Sequence, residues 1–171
     1  MRTFLFAGTA ICALALADIA HAQTATQDII ISATVNSACT INNAATGTTD
    51  AATIPILGSG LVDVTPITPN NAPYLNVACN GPSTLLLTSL SGGVVNGSPA
   101  SGFANIIDYS ASATWSSVSA TVNTSAPATA TGPEAGTPQP VATAFSGPLS
   151  VTITPIVNAL PLVQGAYSDT L

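Results

Sequence analysis

The strongest constraint on the fold is a period of two in the apolar residues. Ile107, Tyr109, Ala111, Ala113 and Trp115 alternate with Asp108, Ser110, Ser112 and Thr114, which puts one set on each face of a β-strand. A second run, Ile29, Ile31, Ala33 and Val35, alternates with Ser32, Thr34 and Asn36. Ile30 breaks that alternation, as suits a strand buried on both sides at that end. Further strand candidates are 61–67, 74–79, 84–89, 118–123, 149–157 and 165–171, separated by turn clusters such as Asn80-Gly81-Pro82, Ser91-Gly92-Gly93, Asn96-Gly97-Ser98-Pro99 and Ser146-Gly147-Pro148. No long segment carries a helical stripe. Short strands at this spacing predict an all-β sandwich or barrel, with Tyr109 and Trp115 in its core. The stretch 124–139, rich in Ala, Thr, Pro and Gly, reads as a long exposed loop, because the residues after it are too few to build a second core.

The N-terminus sets the compartment. Met1-Arg2 supplies a positive charge, residues 4–17 are an almost unbroken apolar run, and Ala20-His21-Ala22 is a small-x-small cleavage site. This is the layout of a secretory signal peptide over residues 1–22, and the run is too short for a comfortable membrane span, so no stable membrane insertion is expected. The mature chain then begins at Gln23, as one domain over 23–171, and Cys12 leaves with the signal segment. Of the 3 cysteines, Cys39 and Cys79 remain, and in an oxidising compartment such a pair reads first as one disulfide.

Cleavage also removes Arg2 and His21, the single basic residue and the single histidine. The acids Asp28, Asp50, Asp63, Asp108, Glu134 and Asp169 stay. Nucleic-acid binding requires cations that displace condensed counterions, so nucleic acid is excluded as a partner. A Ser or Cys nucleophile lacks a neighbouring His or Lys base, and zinc lacks its usual ligands. A glycosidase-like carboxylate pair or a Ca²⁺ site would draw on acids that are scattered singly, with no D-x-D cluster. The expectation is a protein that is not an enzyme and takes no cofactor or metal. Two glycosylation sequons, at Asn96 and Asn123, are short polar turns of a kind that arises by chance.

Four pieces, in order, resemble the spore coat protein U domain and the pilins of archaic chaperone-usher pili. They are Ile29 to Ile41 with Cys39 near its end, Leu75-Asn76-Val77-Ala78-Cys79-Asn80-Gly81, Leu149-Ser150-Val151-Thr152-Ile153, and Gln164-Gly165-Ala166-Tyr167-Ser168-Asp169-Thr170-Leu171. The last is similar to the family's closing G-x-Y-x-D-T-hydrophobic motif. The family's final strand continues beyond that motif, whereas this sequence stops at Leu171, so it is either a fragment or has an unusually short last strand.

The resemblance implies an incomplete immunoglobulin-like β-sandwich whose apolar groove is filled by a strand from another chain. Ile29, Ile31, Ala33 and Val35 match the donor pattern; the alternative is that they form the chain's own first strand. The implied function is a structural subunit of a secreted fibre or coat, reaching the cell surface through the periplasm, with a role in adhesion or biofilm. Its implied partners are homologous fibre subunits, a periplasmic chaperone and an outer-membrane usher. A monomeric secreted carbohydrate-binding module is the rival expectation.

The signal-peptide reading predicts that intact-mass analysis of exported protein finds a chain starting at Gln23; a mature form that keeps Arg2 contradicts it.

Overall fold

A computed structural model describes residues 30–41, 49–125 and 132–171. The expected signal segment, the start at Gln23 and Ile29 lie outside the described residues. Residues 35–171 form one compact unit, to which every strand among the described residues belongs. The strands are β1 Cys39–Ile41, β2 Tyr74–Cys79, β3 Ser83–Leu85, β4 Thr88–Ser89, β5 Val94–Val95, β6 Ile106–Ile107, β7 Tyr109–Trp115, β8 Val118–Asn123, β9 Glu134–Ala135, β10 Gln139–Val141 and β11 Phe145–Pro155. There is no helix among the described residues. The fold is an all-β, incomplete sandwich.

Its larger layer is an antiparallel sheet in the order β1-β2-β11-β7-β8. The period of two operates as expected in β7, where Tyr109, Ala111, Ala113 and Trp115 are all buried. In register, Leu149 lies opposite Trp115, Val151 opposite Ala113 and Ile153 opposite Ala111, so apolar residues of three strands share one face. β7 and β8 join through Ser116-Ser117, with Ser116 at φ 59°, a left-handed first position that matches the strands' twist. Pro148 cannot donate to a ladder, and it sits where the pairing of β11 with β2 shifts register between Gly147 and Leu149.

The second layer is built from short pairs. Residues 83–89 and 134–141 make an interrupted antiparallel ribbon, with Leu85 opposite Gln139 and Thr88 opposite Ala135. Between these pairs the Gly136 N–H donates to the Leu87 carbonyl at 2.9 Å. Gly136 has to be glycine, since a Cβ would overlap the Thr121 carbonyl of β8. At the end of the sandwich holding Cys79, the layers close over Val77, Trp115, Val141, Leu149 and Val151. There Trp115, only 3% exposed, packs edge-to-face on Phe145 with centroids 5.3 Å apart. A second, smaller cluster of Tyr109, Ala111 and Val122 forms at the other end.

Four sequence expectations are corrected. Residues 30–38, with Ile31, Ala33 and Val35, form no strand among the described residues, although the Ala38 carbonyl accepts from the Asn80 N–H at 3.0 Å. The 61–67 and 165–171 segments form isolated bridges (Ile56 with Val62, Ile67 with Ile153, Val95 with Ser168) in place of strands. The 84–89 candidate divides into β3 and β4. The loop expected over 124–139 contains β9 and the first residue of β10, recruited by the free backbone of residues 83–89. Residues 126–131 of that stretch lie outside the described residues.

Cys39 and Cys79 are disulfide-bonded and lie opposite each other on β1 and β2, 40 positions apart in sequence. Closing a loop of this length restricts the unfolded chain by about 4 kcal/mol on the chain-entropy account. Replacing both cysteines with serine is expected to lower the unfolding free energy by about that amount in denaturant titrations; a loss below about 1 kcal/mol contradicts it.

Candidate functional site

The incomplete second layer leaves an apolar cleft of about 1130 Å³ over the sheet's inner face. Leu149, Val151 and Ile153 of β11 and Ala113 of β7 line its floor, with Ile41 and Tyr74 at one edge. Leu85, Leu86 and Leu87 form one wall. Small side-chain volume contributes to the depression: β7 presents Ala113 to it, with Ala120 of β8 opposite in register. Leu149 and Ile153 are four residues apart, or about 13 Å along the strand.

The leucine wall also has an unpaired edge. Among the described residues the N–H and C=O of Leu86 have no backbone partner, and the side chain is half-exposed. An unpaired strand edge beside an apolar floor is a template for one more strand.

Two hydrogen-bonded polar clusters, around Asp50 and Asp169, stand among the lining residues. Asp50 accepts hydrogen bonds from the Asn71 N–H (2.9 Å), the Asn71 amide (2.9 Å), its neighbour Ala51 (2.8 Å) and the Tyr74 hydroxyl (2.9 Å). Desolvation raises the Asp50 pKa, but these donors together outweigh it and hold the carboxyl below its ordinary value. Tyr74 is pushed up to about 12, first by burial and then by the Asp50 carboxylate that accepts its proton.

At the second cluster Asp169 accepts from the Ser89 hydroxyl (2.5 Å), the Tyr109 hydroxyl (2.6 Å) and the Ser91 N–H (2.9 Å). Burial, followed by the bond to Asp169, raises the Tyr109 pKa strongly. The same tail exchanges two backbone bonds between Ser168 and Val95 (3.0 and 3.1 Å) and accepts one from Leu90 at Thr170 (2.9 Å). Tyr167 places its hydroxyl between the carbonyls of Ala104 (3.0 Å) and Val163 (2.9 Å). The Gly-x-Tyr-x-Asp-Thr segment therefore works as a clasp that lays residues 165–171 along the cleft wall.

The expected donor residues that the structure describes are exposed. Ile31 and Val35 are 91% and 80% exposed, Ala33 is exposed, and Ile29 is outside the described residues. Cys39 and Cys79 are brought together, at the sheet end beyond the cleft. Sequence reasoning missed the wall at 85–87 and the partners of Asp50 and Asp169. A signal existed for the wall, since three consecutive leucines break the period of two. Of the sequons, Asn96 is buried, donates to the Gln164 carbonyl and caps Ser98, which closes it to modification in the folded chain.

Among the described residues no group of three or more His, Cys, Asp or Glu could hold a metal, and no helix is long and apolar enough to cross a membrane. No protein-family model matches the chain, and neither does any curated protein or solved structure.

Both rim tyrosines are held in their protonated form. A folded pKa raised above the unfolded value of about 10 gives stability that is complete below pH 10 and is lost as pH climbs through the folded value. Thermal melts are expected to show the midpoint falling between pH 10 and 12, with a shallower fall for Tyr74→Phe; an identical slope in that variant contradicts the assignment.

Proposed function

We propose that this chain is a structural subunit of a secreted surface fibre or coat, assembled by donor-strand complementation and acting in adhesion or biofilm rather than catalysis. In this reading it belongs with spore coat protein U domains and archaic chaperone-usher pilins, has their immunoglobulin-like sandwich, and is handled by a periplasmic chaperone and an outer-membrane usher on its way to the cell surface. The observation that carries the reading is the apolar cleft with an unpaired strand edge, in a chain that also displays an exposed alternating apolar segment.

The two features are chemically matched. Residues 29–35 hold no charged side chain, and neither does the cleft floor at Ala113, Leu149, Val151 and Ile153. Alternate donor residues Ile31, Ala33 and Val35 repeat about every 6.6 Å, the spacing of Leu149, Val151 and Ile153 beneath them. Backbone bonds to the leucine edge supply affinity and the alternate side chains supply register. The rival carbohydrate-binding reading draws less support, since Tyr109 and Trp115, the aromatic residues best able to stack on a sugar, are buried.

Ile31→Asp tests the proposal, because an unpaired carboxylate in an apolar cleft costs several kcal/mol. The variant is expected to stay monomeric by size exclusion where wild-type protein forms polymer, and to fold when a synthetic peptide of residues 29–35 is supplied. Unchanged polymer, or failure to fold even with that peptide, overturns the reading.

A further inference from the structure

The chain enters the sandwich through a side-chain clamp. Asn80, just past β2, donates from Nδ2 to the Asn36 carbonyl at 2.8 Å and accepts at Oδ1 from the Ala38 N–H at 2.8 Å. Its own N–H donates to the Ala38 carbonyl at 3.0 Å. The amide imitates a strand backbone, offering one donor and one acceptor to residues 36 and 38 and continuing the β1–β2 ladder beyond the disulfide.

The direction of that continuation matters. β1 runs from Cys39, opposite Cys79, toward Ile41 at the cleft edge. Residues 38 to 36, held by Asn80, therefore run the other way, beyond the sheet end marked by Cys79 and Phe145. With Asn36 clamped, a segment turning back would spend about 10 Å returning to the level of Cys79 and about 13 Å more to reach Leu149. Residues 29–35 span about 23 Å when extended, so none would be left to cover Val151 and Ile153. Released from Asn80 and tethered only at Cys39, residues 29–38 span about 33 Å and reach past Ile153, which lies about 26 Å from Phe145.

We propose that Asn80 is a positioning residue that denies the N-terminal segment access to its own cleft and so commits it to the cleft of a second copy. This inference rests on the donor-strand reading. It explains how a subunit carrying both a donor and an acceptor avoids closing on itself: a head-to-tail contact between identical chains that cannot close gives an open filament.

The test compares exported full-length protein, wild type and Asn80→Ala, at equal concentration. Losing two amide hydrogen bonds shifts the released-to-clamped ratio by about tenfold, so the monomer-to-polymer ratio in size exclusion is expected to rise by up to about tenfold. Asn80→Asp keeps the acceptor for Ala38 and loses the donor to Asn36, and its shift is expected to lie between the two. In an Ile31→Asp background, where the chain's own segment cannot insert, affinity for a synthetic peptide of residues 29–35 is expected to be the same with and without Asn80→Ala. Equal monomer-to-polymer ratios in wild type and Asn80→Ala overturn the role of Asn80 while leaving strand donation intact. A lower peptide affinity on adding Asn80→Ala overturns it too, by showing that Asn80 shapes the cleft. Wild-type protein that neither polymerises nor, as Ile31→Asp, binds the peptide overturns both readings.

Discussion

The inner face of the five-stranded sheet has to be kept from water, and the rest of the molecule is arranged around how far that succeeds. β2, β11, β7 and β8 place Val77, Leu149, Val151, Ile153, Ala111, Ala113 and Val122 on one surface. Leaving such a surface wet forgoes about 25 cal/mol for each Å². The short ribbon pairs cover the end near Trp115 and Phe145 well. Toward Ile153, which is only half-buried, the cover thins, and the small side chain of Ala113 adds to the shortfall. A cleft of this kind follows from strands too short and side chains too small to meet across the sandwich.

Charge is organised by the same scarcity. Arg2 is the only basic side chain of the sequence and lies far upstream of the sandwich, so its carboxylates have to be held by neutral donors. Asp50 uses Asn71 and Tyr74, and Asp169 uses Ser89, Ser91 and Tyr109. Each network ties a segment lacking regular structure to a strand. Asp50 fixes the stretch before β2, and Asp169 fixes the tail against β4 and β7. Neutral donors thus fix both carboxylates at the margin of the cleft, whose floor is apolar at Ala113, Leu149, Val151 and Ile153. Asn80 uses the same chemistry at the other end of the sheet, where an amide stands in for a backbone that the short β1 does not supply.

How much of this could be read beforehand depended on whether the information was local. Tyr109 to Trp115 showed its burial through alternation, and 118–123 showed its strand the same way. β9 and the first residue of β10 carry no signal, because Glu134, Ala135 and Gln139 have little strand character of their own; the edge of residues 83–89, some fifty positions earlier, draws them into a ladder. The converse holds for Ile31, Ala33 and Val35, whose pattern is that of a strand and which lie in no strand among the described residues. Pattern reports which faces a strand would have, and pairing depends on what lies beside it.

The sequence by itself determined the all-β class, the buried face of β7 and the cysteine pair open to a disulfide, together with a lack of basic groups in the sandwich that turns its acids toward hydroxyls and amides. These follow from period, count and composition, which act at short range. Tertiary structure alone decided that the face stays partly uncovered, that Leu86 stands without a backbone partner among the described residues while Leu85 and Leu87 on either side are paired, and that Asn80 reaches back 44 positions to Asn36. Those outcomes depend on which distant backbones meet, and hydrogen-bond ladders between strands far apart in sequence are fixed only when the whole chain has closed around them.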